Sequence, residues 1–195
     1  LRKRAASEPA VRLLRKRAAS EPAVRLLRKR AASLGGWRGH ERSERNLSTL
    51  HPDLYARAAS FILAAKKLAA PLNLDVKCIC GLRTWAEQDA LYAKGRTTSG
   101  PRVTNSSGGA SMHNYSLALD VAVFSKDGKT YHGDHAFYRE IGPLGESLGF
   151  EWGGRWKFND EPHYQLRPKW ATGMTERDMI AALRSRVSKK IDVLA

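Results

Sequence analysis

The stretch at residues 111–124, SMHNYSLALDVAVF, constrains the fold more than any other part of the sequence. Its second half is a short apolar run typical of a buried strand. His113 and Asp120 stand seven residues apart at the entrance to this run, and burying either side chain costs free energy unless it has a polar partner. The two are therefore either ordinary polar residues of a turn or two ligands of a site that requires a third.

Helix and strand signals alternate along the rest of the chain without the regular strand–helix–strand order of a parallel sheet, so we predict an α+β fold. The predicted elements are helices over 51–70 and 84–95, a strand over 74–82, a long loop over 96–112, a strand over 117–124, a helix over about 135–148 that Gly142 and Pro143 interrupt or remodel, a strand around 163–166, and a helix over 175–190.

Charge divides the chain into regions. The net charge is +15, and residues 1–45 carry 14 Lys and Arg against 4 Asp and Glu. Residues 1–33 repeat the unit LRKRAASEPAVRL, and we expect this basic extension to be disordered or to form short helices that suit anionic cell-envelope surfaces. Residues 34–45 are predicted as a linker, 46–170 as the globular domain and 171–195 as a C-terminal helix. The globular part contains no motif for specific nucleic-acid binding.

Apolar runs and cysteines limit the cellular setting. No run approaches the roughly 18 apolar residues that span a bilayer, and charges interrupt every apolar run near the N-terminus, so we expect neither a transmembrane segment nor a signal peptide. Cys78 and Cys80 would share one face of a strand, where they are expected to pack as small apolar residues rather than bridge each other. A C-x-C pair also lacks the second cysteine pair of a structural zinc site.

A third ligand can be sought among the other histidines. His163 follows Pro162 at a predicted strand start, with Asp160 and Glu161 just before it. A catalytic zinc site has three protein ligands and an open position, and a nearby carboxylate can accept the proton of an activated water. Spacing alone leaves a zinc hydrolase and a set of structural histidines equally open. The remaining histidines fit a linker, a helix start and an exposed turn: His40, His51, His132 and His135.

Four blocks in a fixed order resemble the M15 zinc peptidases, which include D-Ala-D-Ala dipeptidases, D,D-carboxypeptidases and phage L-alanyl-D-glutamate endolysins. SMHNYSLALD is similar to the family signature S-x-H-x-x-G-x-A-x-D. NLSTLHPDL, GLRTWAEQDALYAKGRT and LGFEWGGRWKFNDEPHYQ resemble segments of the endolysin branch, so that the resemblance covers residues 46–166. It implies a single compact domain with a small antiparallel sheet and flanking helices, similar to the Hedgehog and D-Ala-D-Ala peptidase fold, preceded by the basic extension.

The resemblance also implies roles for individual residues. The matched positions give a Zn²⁺ site, a general base and an arginine that holds the polarised carbonyl. Four further positions would bind substrate or support the site, although the two aromatic ones are as often core residues. The ligands would be His113, Asp120 and His163, and the base would be Asp160, with no role for Glu161. The arginine is Arg83. The four further positions are Gln88, Ser111, Tyr115 and Trp152. The family glycine three residues after the first ligand is Ser116 here, which would distort the His113 loop if a positive φ is required.

The expected function is therefore that of an endolysin, a zinc-dependent peptidase that cuts the L-Ala–D-Glu bond of the peptidoglycan stem peptide. The alternatives are a D,D-carboxypeptidase that releases terminal D-Ala and a zinc-stabilised binding module without turnover, as in Hedgehog signalling domains. We expect a monomer that accumulates in the host bacterial cytoplasm until it reaches the cell wall.

Overall fold

The computed structural model describes residues 41–195, so the basic repeats and residues 34–40 of the predicted linker lie outside the described part. The five helices of the described part are α1 (Glu41–Leu47), α2 (Pro52–Ala69), α3 (Trp85–Ala93), α4 (Phe137–Ser147) and α5 (Glu176–Ser188). The strands are β1 (Leu74–Cys80), β2 (Ala118–Ser125), β3 (Tyr131–His132), β4 (Glu151–Trp152) and β5 (His163–Gln165). The predicted α+β class with a small antiparallel sheet is confirmed.

The sheet has the order β1-β2-β5-β4, with β3 paired to the far end of β2, and every pairing is antiparallel. Asp120 faces His163 across the β2–β5 pair, and it faces Cys80 across the β1–β2 pair. The register of the central strand therefore places an acid, an imidazole and a thiol on neighbouring strands. This part of the sheet forms the floor of the candidate site.

Helix α2 packs in the main core against the sheet. His51 caps its start, since the backbone N–H of Asp53 donates to Nδ1 at 3.2 Å, and Pro52 occupies the first turn, where its missing N–H costs nothing. The role predicted for His51 as a capping residue is confirmed. The main core packs α2 and α4 against the sheet, with Phe61, Ile141 and Tyr164 fully buried near its centre.

Helix α1 covers the outer edge of β1. Ser43 accepts a hydrogen bond from the backbone N–H of Cys78 at 3.2 Å, and Asn46 donates to the carbonyl of Cys78 at 3.0 Å. Side chains of α1 therefore satisfy backbone groups that an uncovered edge strand would leave open. Residues 41–45, which the sequence indicated as linker, are the first part of this helix.

Helix α5 closes a second, smaller core. Thr175 caps its start by accepting from the N–H of Asp178 at 3.2 Å, and the helix lies within the predicted range 175–190. Its apolar face packs on the turn that carries His113; the buried members of this core are Met112, Tyr115, Leu117, Ala118, Ala171, Met179, Ile180 and Leu183. Arg184 donates to the carbonyl of Gly109 at 2.9 Å, which fastens the end of the long 96–112 loop.

Helix α4 is continuous through Pro143, so the predicted interruption at Gly142 and Pro143 is wrong. Gly142 is required for a different reason: a Cβ at this position would lie 2.6 Å from the ring of Trp152. The helix tolerates the proline because tertiary packing of its apolar face outweighs the loss of one backbone hydrogen bond. Within residues 41–195, no helix is both long and apolar enough to cross a bilayer.

Candidate metal centre and substrate groove

Three side chains predicted as ligands converge from separate elements. His113 lies in a 3₁₀ turn over Met112–Tyr115, Asp120 in β2 and His163 at the start of β5. Ser111 caps the turn, and its hydroxyl accepts from the N–H of His113 at 3.4 Å. Ser111 therefore supports the backbone of the site in addition to lining the groove. Local capping and strand register together bring residues 50 positions apart into contact.

The distances between the three ligand atoms fit a small divalent cation. Asp120 Oδ1 lies 3.1 Å from His113 Nε2 and 3.0 Å from His163 Nδ1, and the two nitrogens lie 3.3 Å apart. Ligands at tetrahedral angles on a metal with bonds of 2.0–2.1 Å are separated by about 3.3 Å. The triangle therefore has nearly the edge lengths that zinc-type coordination requires.

The imidazole of His113 has a fixed tautomer. Its Nδ1 lies 2.7 Å from the carbonyl oxygen of Gly81, which can only accept a hydrogen bond, so Nδ1 carries a proton in every state and Nε2 is the nitrogen that can hold either a second proton or a metal ion beside Asp120. Residue 81 has to be glycine, because a Cβ there would lie 2.2 Å from the carbonyl oxygen of Asn46. The side chain of His113 is only 2% exposed.

Charge coupling between these residues is strong. Burial by itself lowers the pKa of His113, but the carboxylate of Asp120 overcomes that effect and raises the pKa to about 10. For Asp120, burial opposes ionisation, while His113 and His163 hold its pKa well below the usual range. A proton and a divalent cation therefore compete for the same nitrogen of His113.

Arg83 is held next to this triangle by two anchors. Its Nη2 donates to Asp120 Oδ2 at 3.3 Å, and its Nη1 donates to Gln88 Oε1 at 2.8 Å. Gln88 is fully buried and donates in turn to the carbonyl of Ser106 at 2.8 Å, which leaves its oxygen facing the arginine. The structure thus places Gln88 as the residue that orients Arg83 and ties the 96–112 loop to α3.

Cys80 is a site neighbour that the sequence interpretation missed. Its Sγ accepts from Arg83 Nη2 at 3.2 Å, and together with His113 and Asp120 it forms a group of atoms close enough to hold a metal ion. However, the sulfur lies 3.7 Å from Nδ1 of His113, the nitrogen that donates to Gly81, and not beside the free Nε2. Both cysteines are free thiols, and Cys78 packs in the core as predicted, but Cys80 does not pack as an apolar residue because the sheet register places it opposite Asp120.

Asp160 lies on the wall of the groove above the triangle, whereas Glu161 points away and accepts from Arg139 Nε at 2.7 Å. Burial raises the pKa of Asp160, opposed by His163 and reinforced by Asp120. Its backbone N–H donates to the carbonyl of Gly153 at 3.1 Å, and a Cβ on Gly153 would lie 2.4 Å from the carbonyl oxygen of Asp160. The double glycine after Trp152 therefore permits the close approach that positions this acid.

The groove has a volume of about 570 Å³ and runs across the triangle. One wall is the 96–112 loop, and the other carries Trp156, which is 39% exposed with its ring centred 5.1 Å from that of His163. Tyr115 and Trp152 lie elsewhere: Tyr115 is buried and donates to the carbonyl of Gly109 at 2.6 Å, and Trp152 is buried against Gly142. The groove tryptophan is thus the second one of the WGGRW segment.

Two further histidines stay away from the groove. His132 and His135 face each other with ring centres 5.5 Å apart, and Nδ1 of His135 accepts from the N–H of Phe137 at the start of α4. Gln165, by contrast, contacts His163 directly, and Glu151 accepts a hydrogen bond from Gln165; the sequence interpretation missed both residues. The available signal was spacing, because Gln165 follows His163 by two positions and so shares its face of the strand.

Comparison with known proteins agrees with this geometry. A family model described as D-alanyl-D-alanine carboxypeptidase, peptidase M15_4, matches residues 104–166, which include all three predicted ligands. The peptidoglycan L-alanyl-D-glutamate endopeptidase CwlK of Bacillus subtilis (strain 168) is 42% identical over 130 residues, covering 62% of this chain and 75% of the relative. The chain belongs to the M15 peptidase family. The resemblance deduced from the four sequence blocks is thereby confirmed.

As a member of the M15 family, the protein is a metal-dependent peptidase that acts on peptidoglycan, and it is similar to CwlK. The aligned relative and the matched family model carry different activities in their descriptions, an endopeptidase in one case and a carboxypeptidase in the other. Membership of the family therefore fixes neither the metal nor the bond that is cut.

Proposed function

We propose that the protein is a zinc-dependent endopeptidase that cleaves the L-Ala–D-Glu bond of the peptidoglycan stem peptide. The observation that supports this most strongly is the triangle of His113 Nε2, Asp120 Oδ1 and His163 Nδ1, with edges of 3.0–3.3 Å, at the floor of an open groove. Two imidazoles and one carboxylate with an open fourth position are typical of catalytic zinc.

A bound Zn²⁺ would supply Lewis acidity, lowering the pKa of a water in the groove and polarising the scissile carbonyl. The protein residues carry the proton. Asp160 lies beside the ligands with a pKa raised by burial, which brings its basicity closer to neutral pH than that of a solvated aspartate. In this proposal Asp160 accepts the proton of the attacking water and then delivers it to the leaving amine.

Arg83 is proposed to stabilise the negative charge that develops on the carbonyl oxygen. Its guanidinium is fixed at one end by Gln88 and at the other by Asp120, so little reorganisation is needed when the charge forms. A preorganised donor of this kind contributes on the order of 10²–10³ in rate. Arg83 also compensates the negative charge of Asp120, with which it forms an ion pair, and it can do so while it binds the carbonyl oxygen.

The proposed bond rests on the name of the relative, which is 42% identical, and the second candidate, release of terminal D-Ala, rests on the description of the matched family model. Digestion of purified peptidoglycan, with the released ends read by mass spectrometry, separates them. New amino-terminal D-Glu that disappears with chelator and returns with Zn²⁺ supports the endopeptidase. Free D-Ala instead contradicts it and supports the carboxypeptidase.

A protein that binds zinc and releases neither product would contradict both enzyme proposals and favour a binding module without turnover. Replacing His113 by Ala is the matched control, since it should remove both metal and cleavage. The phage lysin setting, the monomeric state, the location in the host cytoplasm before wall contact and the affinity of the basic repeats for anionic envelope surfaces stay predictions.

A further inference from the structure

We infer that Gln165 is a positioning residue that fixes the tautomer and orientation of His163, and that Glu151 in turn fixes the orientation of Gln165. The inference rests on the proposed role of His163 as a metal ligand. It concerns how that ligand is held, a question that neither the family match nor the similar endopeptidase answers.

The chain of donors and acceptors has only one consistent direction. Gln165 Nε2 lies 2.9 Å from Glu151 Oε2, and a carboxylate can only accept, so the amide NH₂ faces Glu151. The amide oxygen then faces His163 Nε2 at 3.1 Å. Since that oxygen can only accept, Nε2 of His163 carries the proton.

It follows that Nδ1 of His163 presents a lone pair, and this nitrogen lies 3.0 Å from Asp120 Oδ1. His163 would therefore bind a metal through Nδ1, whereas His113 would bind through Nε2. If the amide of Gln165 were reversed, its NH₂ would face His163, favour the opposite tautomer and place the proton where the metal should lie.

Sheet geometry makes this arrangement rigid. Gln165 shares a face of β5 with His163, and Glu151 is its direct partner across the β4–β5 pair. Gln165 is only 3% exposed, so a lost partner would leave a buried polar group unsatisfied.

Glu151 is itself anchored by Arg167, whose Nε donates to its Oε1 and whose Nη2 lies 3.3 Å from Glu176 Oε2. Glu176 is the first residue of α5 and lines the groove. A continuous line of polar contacts therefore joins the C-terminal helix to His163.

The two imidazoles differ in what holds them. The partner of His113 is the backbone carbonyl of Gly81, which no side-chain substitution removes directly. The partner of His163 is a side chain whose orientation depends on a second side chain. Substitutions at 151 and 165 should therefore act on His163 alone.

The test uses the full chain loaded with Zn²⁺ and three variants: Gln165→Leu, Glu151→Gln, and the swapped double variant Glu151→Gln/Gln165→Glu. The swap keeps the net charge, an acceptor facing His163 and a donor between the two strands. Glu146→Gln is the matched control, because Glu146 forms a comparable pair with Arg155 at the surface. Zinc affinity is measured by competition with a chromophoric chelator, and the His163 tautomer by long-range ¹H–¹⁵N NMR.

We expect Gln165→Leu to weaken zinc binding by about 10- to 100-fold, the usual effect of removing a hydrogen-bond partner of a metal-bound histidine. We expect Glu151→Gln to weaken it less and to give mixed tautomer signals, the swap to restore most of the affinity, and Glu146→Gln to have no effect. Circular dichroism of each variant establishes that it is folded.

Wild-type affinity in Gln165→Leu, or a folded swap that fails to restore affinity, would overturn the inference. So would unchanged zinc affinity in His163→Ala, because His163 would then be no ligand. Failure of the proposed function has a different signature: zinc binding and tautomers as expected, but no cleavage of peptidoglycan by the wild-type protein.

Discussion

Asp120 and His163 are direct cross-strand partners, and their side chains meet with 3.0 Å between Oδ1 and Nδ1. The backbone reinforces the contact, since the N–H of Val121 donates to the carbonyl of Pro162 at 3.0 Å. A slip of one residue in this register would turn Asp120 to the opposite face of the sheet. The candidate metal site therefore depends on the pairing of a short strand, β5, with the middle of the sheet.

Replacing Asp160 by Asn should abolish cleavage while leaving zinc bound. Asn keeps the shape of the side chain but cannot accept a proton, and loss of a general base costs on the order of 10²–10⁴ in rate. Zinc content by atomic emission and turnover of a stem-peptide substrate, measured on one preparation, check this. Glu161→Gln is the control and should keep its activity, because Glu161 pairs with Arg139 away from the groove. Retained turnover in Asp160→Asn would refute the base assignment.

The acid side of the pH–rate profile should also report Asp160. Burial raises its pKa in the metal-free site and the charge of a bound Zn²⁺ lowers it, so the base is lost as the pH falls through the pKa that results. The measurement is kcat/KM against pH in the zinc-saturated enzyme, compared with zinc content at each pH. An acid limb that follows loss of zinc and not loss of the base would contradict this origin.

Zinc binding should release a proton from His113 near neutral pH. Asp120 raises the pKa of His113 to about 10 in the metal-free site, so the imidazole is protonated at pH 7 and has to lose a proton to bind. Apparent zinc affinity should then rise by up to about tenfold per pH unit between pH 7 and 9. Calorimetry in buffers of different ionisation enthalpy measures the protons released. An affinity that does not change over this range would contradict the coupling.

The same coupling predicts the stability of the metal-free protein. Because the folded pKa of His113 lies above its unfolded value of about 6.5, protonation stabilises the fold fully below pH 6.5, and this contribution is lost as the pH rises toward 10. Urea unfolding in chelator at pH 6, 8 and 10 should show decreasing stability. Zinc-loaded protein should lack this decline, since the metal holds the neutral imidazole.

Replacing Ser116 by Gly should stabilise the protein. Ser116 ends the 3₁₀ turn of His113 in the left-handed region, at φ 60° and ψ 22°, which is costly for a residue with a Cβ. After allowing for the greater freedom of glycine in the unfolded chain, we expect a gain of about 0.5–1 kcal/mol. Thermal unfolding measures it. Ser185→Gly, at an exposed position in α5, is the control and should destabilise by a similar amount.

A lower stability in Ser116→Gly would show that contacts of the serine side chain stabilise the fold by more than the left-handed backbone costs.

The predicted distortion of the His113 loop is not seen in its hydrogen bonds. The N–H of Ser116 donates to the carbonyl of His113 at 3.3 Å, and its own carbonyl accepts from His51 at 2.9 Å. The departure from the family glycine therefore costs conformational energy, while the His113 turn keeps these hydrogen bonds.

Replacing Gly153 by Ala should impair catalysis more than metal binding. The added Cβ would lie 2.4 Å from the carbonyl oxygen of Asp160, so the loop that carries the base has to shift. A misplacement near 1 Å can cost on the order of 10²-fold in rate. Turnover should therefore fall while zinc stoichiometry stays at one per chain. Normal turnover would show that the 153–160 loop absorbs a methyl group without moving Asp160.

Local signals in the sequence were sufficient for the family and for the longer elements, but not for the short helix α1 or for the two-residue strands β3 and β4. The apolar run of 51–70 predicted α2, the helix predicted over 175–190 contains α5, and four ordered blocks identified the M15 peptidase. The prediction failed at Pro143, where the local preference of proline was outweighed by burial of the helix face. The aromatic residues were ambiguous for the same reason: only packing distinguishes the buried Trp152 from the groove residue Trp156.

The sequence by itself therefore indicated which residues could act: spacing made His113, Asp120 and His163 candidate ligands, and the resemblance to the M15 peptidases added the roles of Asp160 and Arg83. Only the tertiary structure decided which nitrogen of each imidazole faces Asp120, that Gln88 holds Arg83, and that Gln165, itself bound to Glu151, contacts His163. Those properties depend on strand register and hydrogen-bond direction between residues far apart in sequence. Spacing along the chain carries no information on either until the sheet has formed.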